Sequence, residues 1–110
     1  MKKLISLILA VATLTLACST TGKTLATVAT TVDRAMEGWA AYVVLNNVSE
    51  DKQTSVRTLY IKYQASMAVA TKAYSASAGN KSDPILQQAI AALNVVQLDL
   101  LSLIKKFQIQ

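Results

Sequence analysis

The chain contains no histidine and only one cysteine among its 110 residues. The first absence removes the side chain that most often serves as general base or metal ligand near neutral pH. The second rules out a disulfide within the chain, so a domain of this size must rely on packing alone. Glycine is scarce too, at positions 22, 38 and 79 only, and such spacing builds no phosphate-cradling loop. Proline occurs once, at Pro84, so long helices are unobstructed elsewhere. No basic run carries interleaved aromatics, which argues against nucleic-acid binding. The strongest carboxylate pair, Asp33 and Glu37, lies one helical turn apart. Two ligands on a surface face make a poor cation site, so no metal, no cofactor and no enzymatic activity are expected.

What is present begins with the N-terminus. Lys2 and Lys3 precede a charge-free, mostly apolar run from Leu4 to Ala17, which ends at Ala17-Cys18. A basic start, a short apolar stretch and small residues form the order of a secretory signal. At 14 residues the run is short for a membrane span, which needs about 20 apolar residues. Cleavage after Ala12, at Ala10-Val11-Ala12, would leave Cys18 as a free thiol. The segment Leu14-Thr15-Leu16-Ala17-Cys18, with the chain's only cysteine after a small residue, resembles the signal of bacterial or phage-encoded lipoproteins. That resemblance covers the signal and not the remainder of the chain. It implies cleavage before Cys18, acylation of Cys18 (palmitate or a similar chain) and attachment to the cell envelope. In a Gram-negative host, Ser19 after the cysteine is similar to outer-membrane cargo, which places the domain in the periplasm. Each buried methylene of such an anchor contributes about 0.8 kcal/mol, so several acyl chains hold firmly.

The expected organisation is therefore a signal peptide over 1–17, a lipidated cysteine with a flexible tether over 18–23, and a folded domain over 24–110. Removing residues 1–17 takes away Lys2 and Lys3 and leaves nine basic against six acidic residues, a net charge of about +3. Such a mild excess is consistent with a solvated surface.

Two turn signals, Asn46-Asn47-Val48-Ser49 and Gly79 to Pro84, divide this domain into three segments of helical period. In the first, about Thr24 to Leu45, Leu25, Val28, Val32, Met36, Trp39 and Val43 form one apolar face. The second spans about Glu50 to Ala78, capped by Ser49, with Val56, Tyr60, Tyr63, Met67, Ala70 and Tyr74 as its seam and Gly79 as its stop. The third covers about Pro84 to Phe107, capped by Asp83, with Leu86, Ala89, Leu93, Val96, Leu100, Leu103 and Phe107 as its seam. Ile85, Ile90, Ala92, Leu101 and Ile104 widen that last seam. Short connections make neighbours antiparallel, so the expected fold is all-α, an up-down-up three-helix bundle. The alternative is a hairpin of the second and third segments, with the first docked loosely or exchanged between subunits.

Ile61, Val95 and Leu98 fit this bundle worst, because they are apolar on faces that otherwise read as polar. Val95 and Leu98, one turn apart, are candidates for a partner contact, with Ile61 a third. The aromatics Trp39, Tyr42, Tyr60, Tyr63 and Tyr74 read as core, although a ligand-binding cavity between tyrosines is a further option. The expected function is a non-enzymatic, membrane-anchored interaction or scaffolding module that binds an envelope protein or forms a homo-oligomer. The alternative is a phage- or plasmid-type lysis lipoprotein that disrupts the envelope.

Overall fold

Two helix starts organise the molecule. In the computed structural model, which describes residues 20–109, Ser49 and Asp83 each stand just before a long helix. The helices are α1 (Thr20–Asn46), α2 (Glu50–Ala76) and α3 (Pro84–Ile109). No strand occurs among the described residues. A 27-residue helix rises about 40 Å at 1.5 Å per residue, which accounts for most of the 45 Å long axis.

The caps explain the starts. Asp83 Oδ1 accepts from the backbone N–H of Ile85 (2.9 Å) and of Leu86 (3.1 Å), satisfying two otherwise orphaned donors. Pro84 follows at the first helical position, where its missing N–H costs nothing. Ser49 does the same work more weakly, accepting from the Lys52 N–H at 3.4 Å. Between α2 and α3, Asn80 Oδ1 accepts from the Ser82 N–H and Gln87 Nε2 donates to the Lys81 carbonyl, which fixes the connecting loop.

The core follows the seams. On α2, Val56, Tyr63 and Ala70 repeat at seven residues and are buried; on α3, Leu86, Leu93 and Leu100 do likewise and are fully buried. Seven-residue spacing keeps each row on one side of its helix, so two antiparallel helices can close along their length. α2 and α3 form the closest pair, and α1 packs against both. Leu25, Val28, Val32 and Trp39 carry the α1 contribution and are buried in the same cluster. Full burial of a Leu or Val side chain contributes about 1.5–3 kcal/mol, so this spine dominates stability. Trp39 packs against Phe107 with ring centroids 5.9 Å apart, and Tyr42 Oη donates to the Phe107 carbonyl at 3.2 Å. These contacts bring the C-terminal ends of α1 and α3 together, as an up-down-up order requires. The fold is the expected all-α three-helix bundle, with α1 docked in the core.

Several details differ from the sequence expectation. Thr20 to Lys23, expected as flexible tether, belong to the first turns of α1. The buried Gly22 continues the face of Leu25 one turn earlier, and packing overrides weak local propensity. α2 ends at Ala76 rather than Ala78, because the chain turns left-handed at Ala78 (φ 54°) before Gly79 is reached. α3 runs two residues past Phe107, since nothing after Phe107 breaks it. Ile85 and Ala92 are exposed instead of widening the α3 seam. Ile85 is turned about 100° from the fully buried Leu86 of the same turn and is 70% exposed. As expected, Asn47 takes the left-handed conformation after α1 (φ 53°).

Candidate functional site

The outward side of α3 is built by an offset of two residues. Ala91, Val95, Leu98 and Ser102 each lie two positions beyond a seam residue: Ala89, Leu93, Val96 and Leu100. Two residues turn a helix by about 200°, so the second row points away from the core. All four members of the outer row are exposed. Val95 and Leu98 are the large apolar ones, at 60% and 61% exposure, as the sequence reading expects.

Ile61 is also exposed, at 58%. It belongs to α2, five residues beyond Val56 and so about 140° from that seam position. The outward sides of two helices in a three-helix bundle point in different directions, so Ile61 does not join Val95 and Leu98 in one patch. Val44, Leu45, Val69 and Ile109 are exposed apolar residues that the sequence reading does not single out. Val44 and Leu45 adjoin the seam residue Val43 in sequence but leave its face, and counting helical steps from Val43 is the signal that finds them.

A shallow cleft of about 310 Å³ lies where α1 ends and α2 begins, lined by Tyr42, Asn46, Asn47, Val48, Ser49, Lys52 and Phe107. Its polar groups serve the fold. Asn46 Nδ2 donates to the Tyr42 carbonyl at 3.0 Å, Ser49 caps α2, and Lys52 Nζ stands 5.5 Å from the centre of the Phe107 ring. The lining includes no carboxylate, and its amine and phenol form no nucleophile–base pair.

The aromatic residues are distributed rather than gathered. Trp39 stacks on Tyr42 at 5.9 Å and meets Phe107, while Tyr60 and Tyr63 stack on each other at 5.9 Å. Tyr74 closes over Gly79. No single platform for a ligand results among these rings. Tyr63 is buried, and loss of hydration first, then the nearby Tyr60 and Asp33, together push its phenol up to about 12. Tyr60 is raised for the same first reason, with Asp33 adding and a hydrogen bond with Gln64 opposing. Asp33 is half-buried and acts on these tyrosines, whereas Glu37 is exposed. Among the described residues no cluster of three or more potential metal ligands occurs, and no helix is long and apolar enough to cross a membrane. Cys18 and the apolar run before it lie outside the described residues.

Comparison with known protein families, characterised proteins and solved structures finds no match to this chain.

Proposed function

We propose that this chain is a non-enzymatic envelope lipoprotein, held to a membrane through acylated Cys18, whose bundle is an interaction module. The observation that carries the interaction reading is the pair Val95 and Leu98, two large apolar side chains one turn apart on the outward side of α3 and about 60% exposed. The anchor reading is supported by Lys2-Lys3, the apolar run to Ala17 and the single cysteine after it. Ser19 supports placement at the outer membrane in a Gram-negative host.

The helix start adds to the same reading. Cys18 stands two residues before Thr20, which is already helical, so a lipid there holds the bundle close to the bilayer. A short connection limits the space the bundle explores and favours partners in or near the same leaflet.

The test is cross-linking in intact envelopes followed by recovery of the chain. Leu98→Asp places a charge in the centre of the outward pair, where loss of a dominant contact lowers binding by about tenfold or more. Reduced recovery of cross-linked species with unchanged helicity is the expected result. Unchanged recovery overturns the role given to Leu98.

A further inference from the structure

We infer that the outward row of α3 pairs with the same row of a second copy, in parallel and in register, when both copies are anchored in one leaflet. The inference rests on the reading of Cys18 as the lipid anchor.

The outward row has the spacing of a coiled-coil seam. Gln88, Ala91, Val95, Leu98, Ser102 and Lys105 alternate steps of three and four residues. Assigning Val95 to position a places Leu98 at d and Ala91 at the preceding d. A β-branched residue at a with leucine at d is the combination that favours two parallel strands. The flanks agree with that pairing. Asn94 at g faces Asp99 at e of the other copy, where an amide donor meets a carboxylate acceptor. The remaining positions bound the seam. Gln88 and Ser102 are polar, and Lys105 would meet its own copy, so close contact is confined to Ala91 through Leu98.

The anchor supplies the orientation and the concentration that so short a seam lacks. Two large apolar side chains per copy are few against the freedom lost when proteins associate from solution. Confinement to one leaflet removes much of that loss by raising the effective concentration. Cys18 stands two residues before the helical Thr20, so both copies leave the bilayer by the same end of the bundle. α3 is parallel to α1 in the bundle, so two anchored copies present their α3 helices in the same direction. Ala91 to Leu98 span from about 10 to about 21 Å beyond the start of α3, at 1.5 Å per residue, which is the middle of that helix.

The experiment introduces Leu98→Cys into the full chain and, separately, Ile61→Cys as the control on the outward side of α2. Both native residues are about 60% exposed, so neither exchange disturbs the core. Envelopes are treated with copper phenanthroline, fractionated, and examined for disulfide-linked dimers and for membrane attachment. Parallel in-register pairing sets position 98 against itself, so Leu98→Cys is expected to link about tenfold more than Ile61→Cys, and to lose that excess when Cys18→Ser releases the chain. Membrane-attached chain that links no better at position 98 than at 61 overturns the pairing and leaves the anchor standing. Linking that persists undiminished with Cys18→Ser overturns the dependence on confinement. Chain absent from the membrane fraction before any exchange at Cys18 overturns the anchor, and the leaflet-confined pairing falls with it.

Discussion

The ring of Tyr74 occupies the place where a side chain at position 79 would stand. A Cβ added to Gly79 would lie 2.8 Å from Tyr74 Oη, and Gly79 holds a positive φ of 75°. The same two residues share a backbone bond, with the Gly79 N–H donating to the Tyr74 carbonyl at 2.9 Å and the Ala78 N–H to the Ser75 carbonyl at 3.3 Å. This pair of bonds is the Schellman closure of α2, in which the left-handed position falls on Ala78 rather than on glycine.

Gly79→Ala is therefore expected to destabilise the bundle by about 1–3 kcal/mol, through backbone strain and displacement of Tyr74. Ala78→Gly is expected to stabilise by up to about 1 kcal/mol, because it relieves the left-handed penalty at an exposed site. Chemical denaturation followed by circular dichroism reads both. A stabilised Gly79→Ala variant would contradict this account of the turn.

Gly38 is a different case. It lies inside α1, exposed, and a Cβ there would meet nothing within 4 Å. Gly38→Ala is expected to raise stability by about 1 kcal/mol, the ordinary helical preference of alanine over glycine. A loss of stability would show that a neighbour approaches this position closely.

The two helix caps differ in strength. Asp83 accepts two backbone bonds at 2.9 and 3.1 Å, whereas Ser49 accepts one at 3.4 Å. Asp83→Ala is expected to cost about 1–2 kcal/mol and Ser49→Ala nearer 0.5 kcal/mol. Equal midpoints for the two variants would contradict the ranking.

Tyr63 gives a pH prediction. Burial first, then Tyr60 and Asp33, push its phenol up to about 12 from the ordinary 10.0. The folded state thus holds its proton more tightly than the unfolded state does. The contribution to stability is fully present below pH 10 and is lost as pH rises from 10 through 12. Ultraviolet titration of phenolate should show a late phase near 12 that Tyr63→Phe removes. A titration of all tyrosines near 10 in the folded protein would contradict it.

Much of the fold is legible in the sequence because its signals are local. Asp83-Pro84 and Ser49-Glu50 announce helix starts through bonds that span three residues, and the seven-residue rows of α2 and α3 announce their buried sides. The exceptions depend on neighbours. Ile85 borders the seam in period, but it faces away from the neighbours that bury Leu86 beside it. Thr20 to Lys23 read as a polar tether and yet are helical, with Gly22 among them buried. The end of α2 is misread by two residues because alanine, not glycine, takes the left-handed turn. The exposure of Val95, Leu98 and Ile61 is legible in the same way, from apolar residues out of step with their seams. That Ile61 points elsewhere requires the arrangement of the helices.

The central claim is the anchor at Cys18, since orientation, location and pairing all depend on it. The most direct measurement is the intact mass of the mature chain recovered from the membrane fraction, beside a Cys18→Ser control. The account predicts the mass of residues 18–110 plus a diacylglyceryl group and, in hosts that add it, a further acyl chain, with no such species in the control. An unlipidated mass, or a chain that retains residues 1–17, would contradict it.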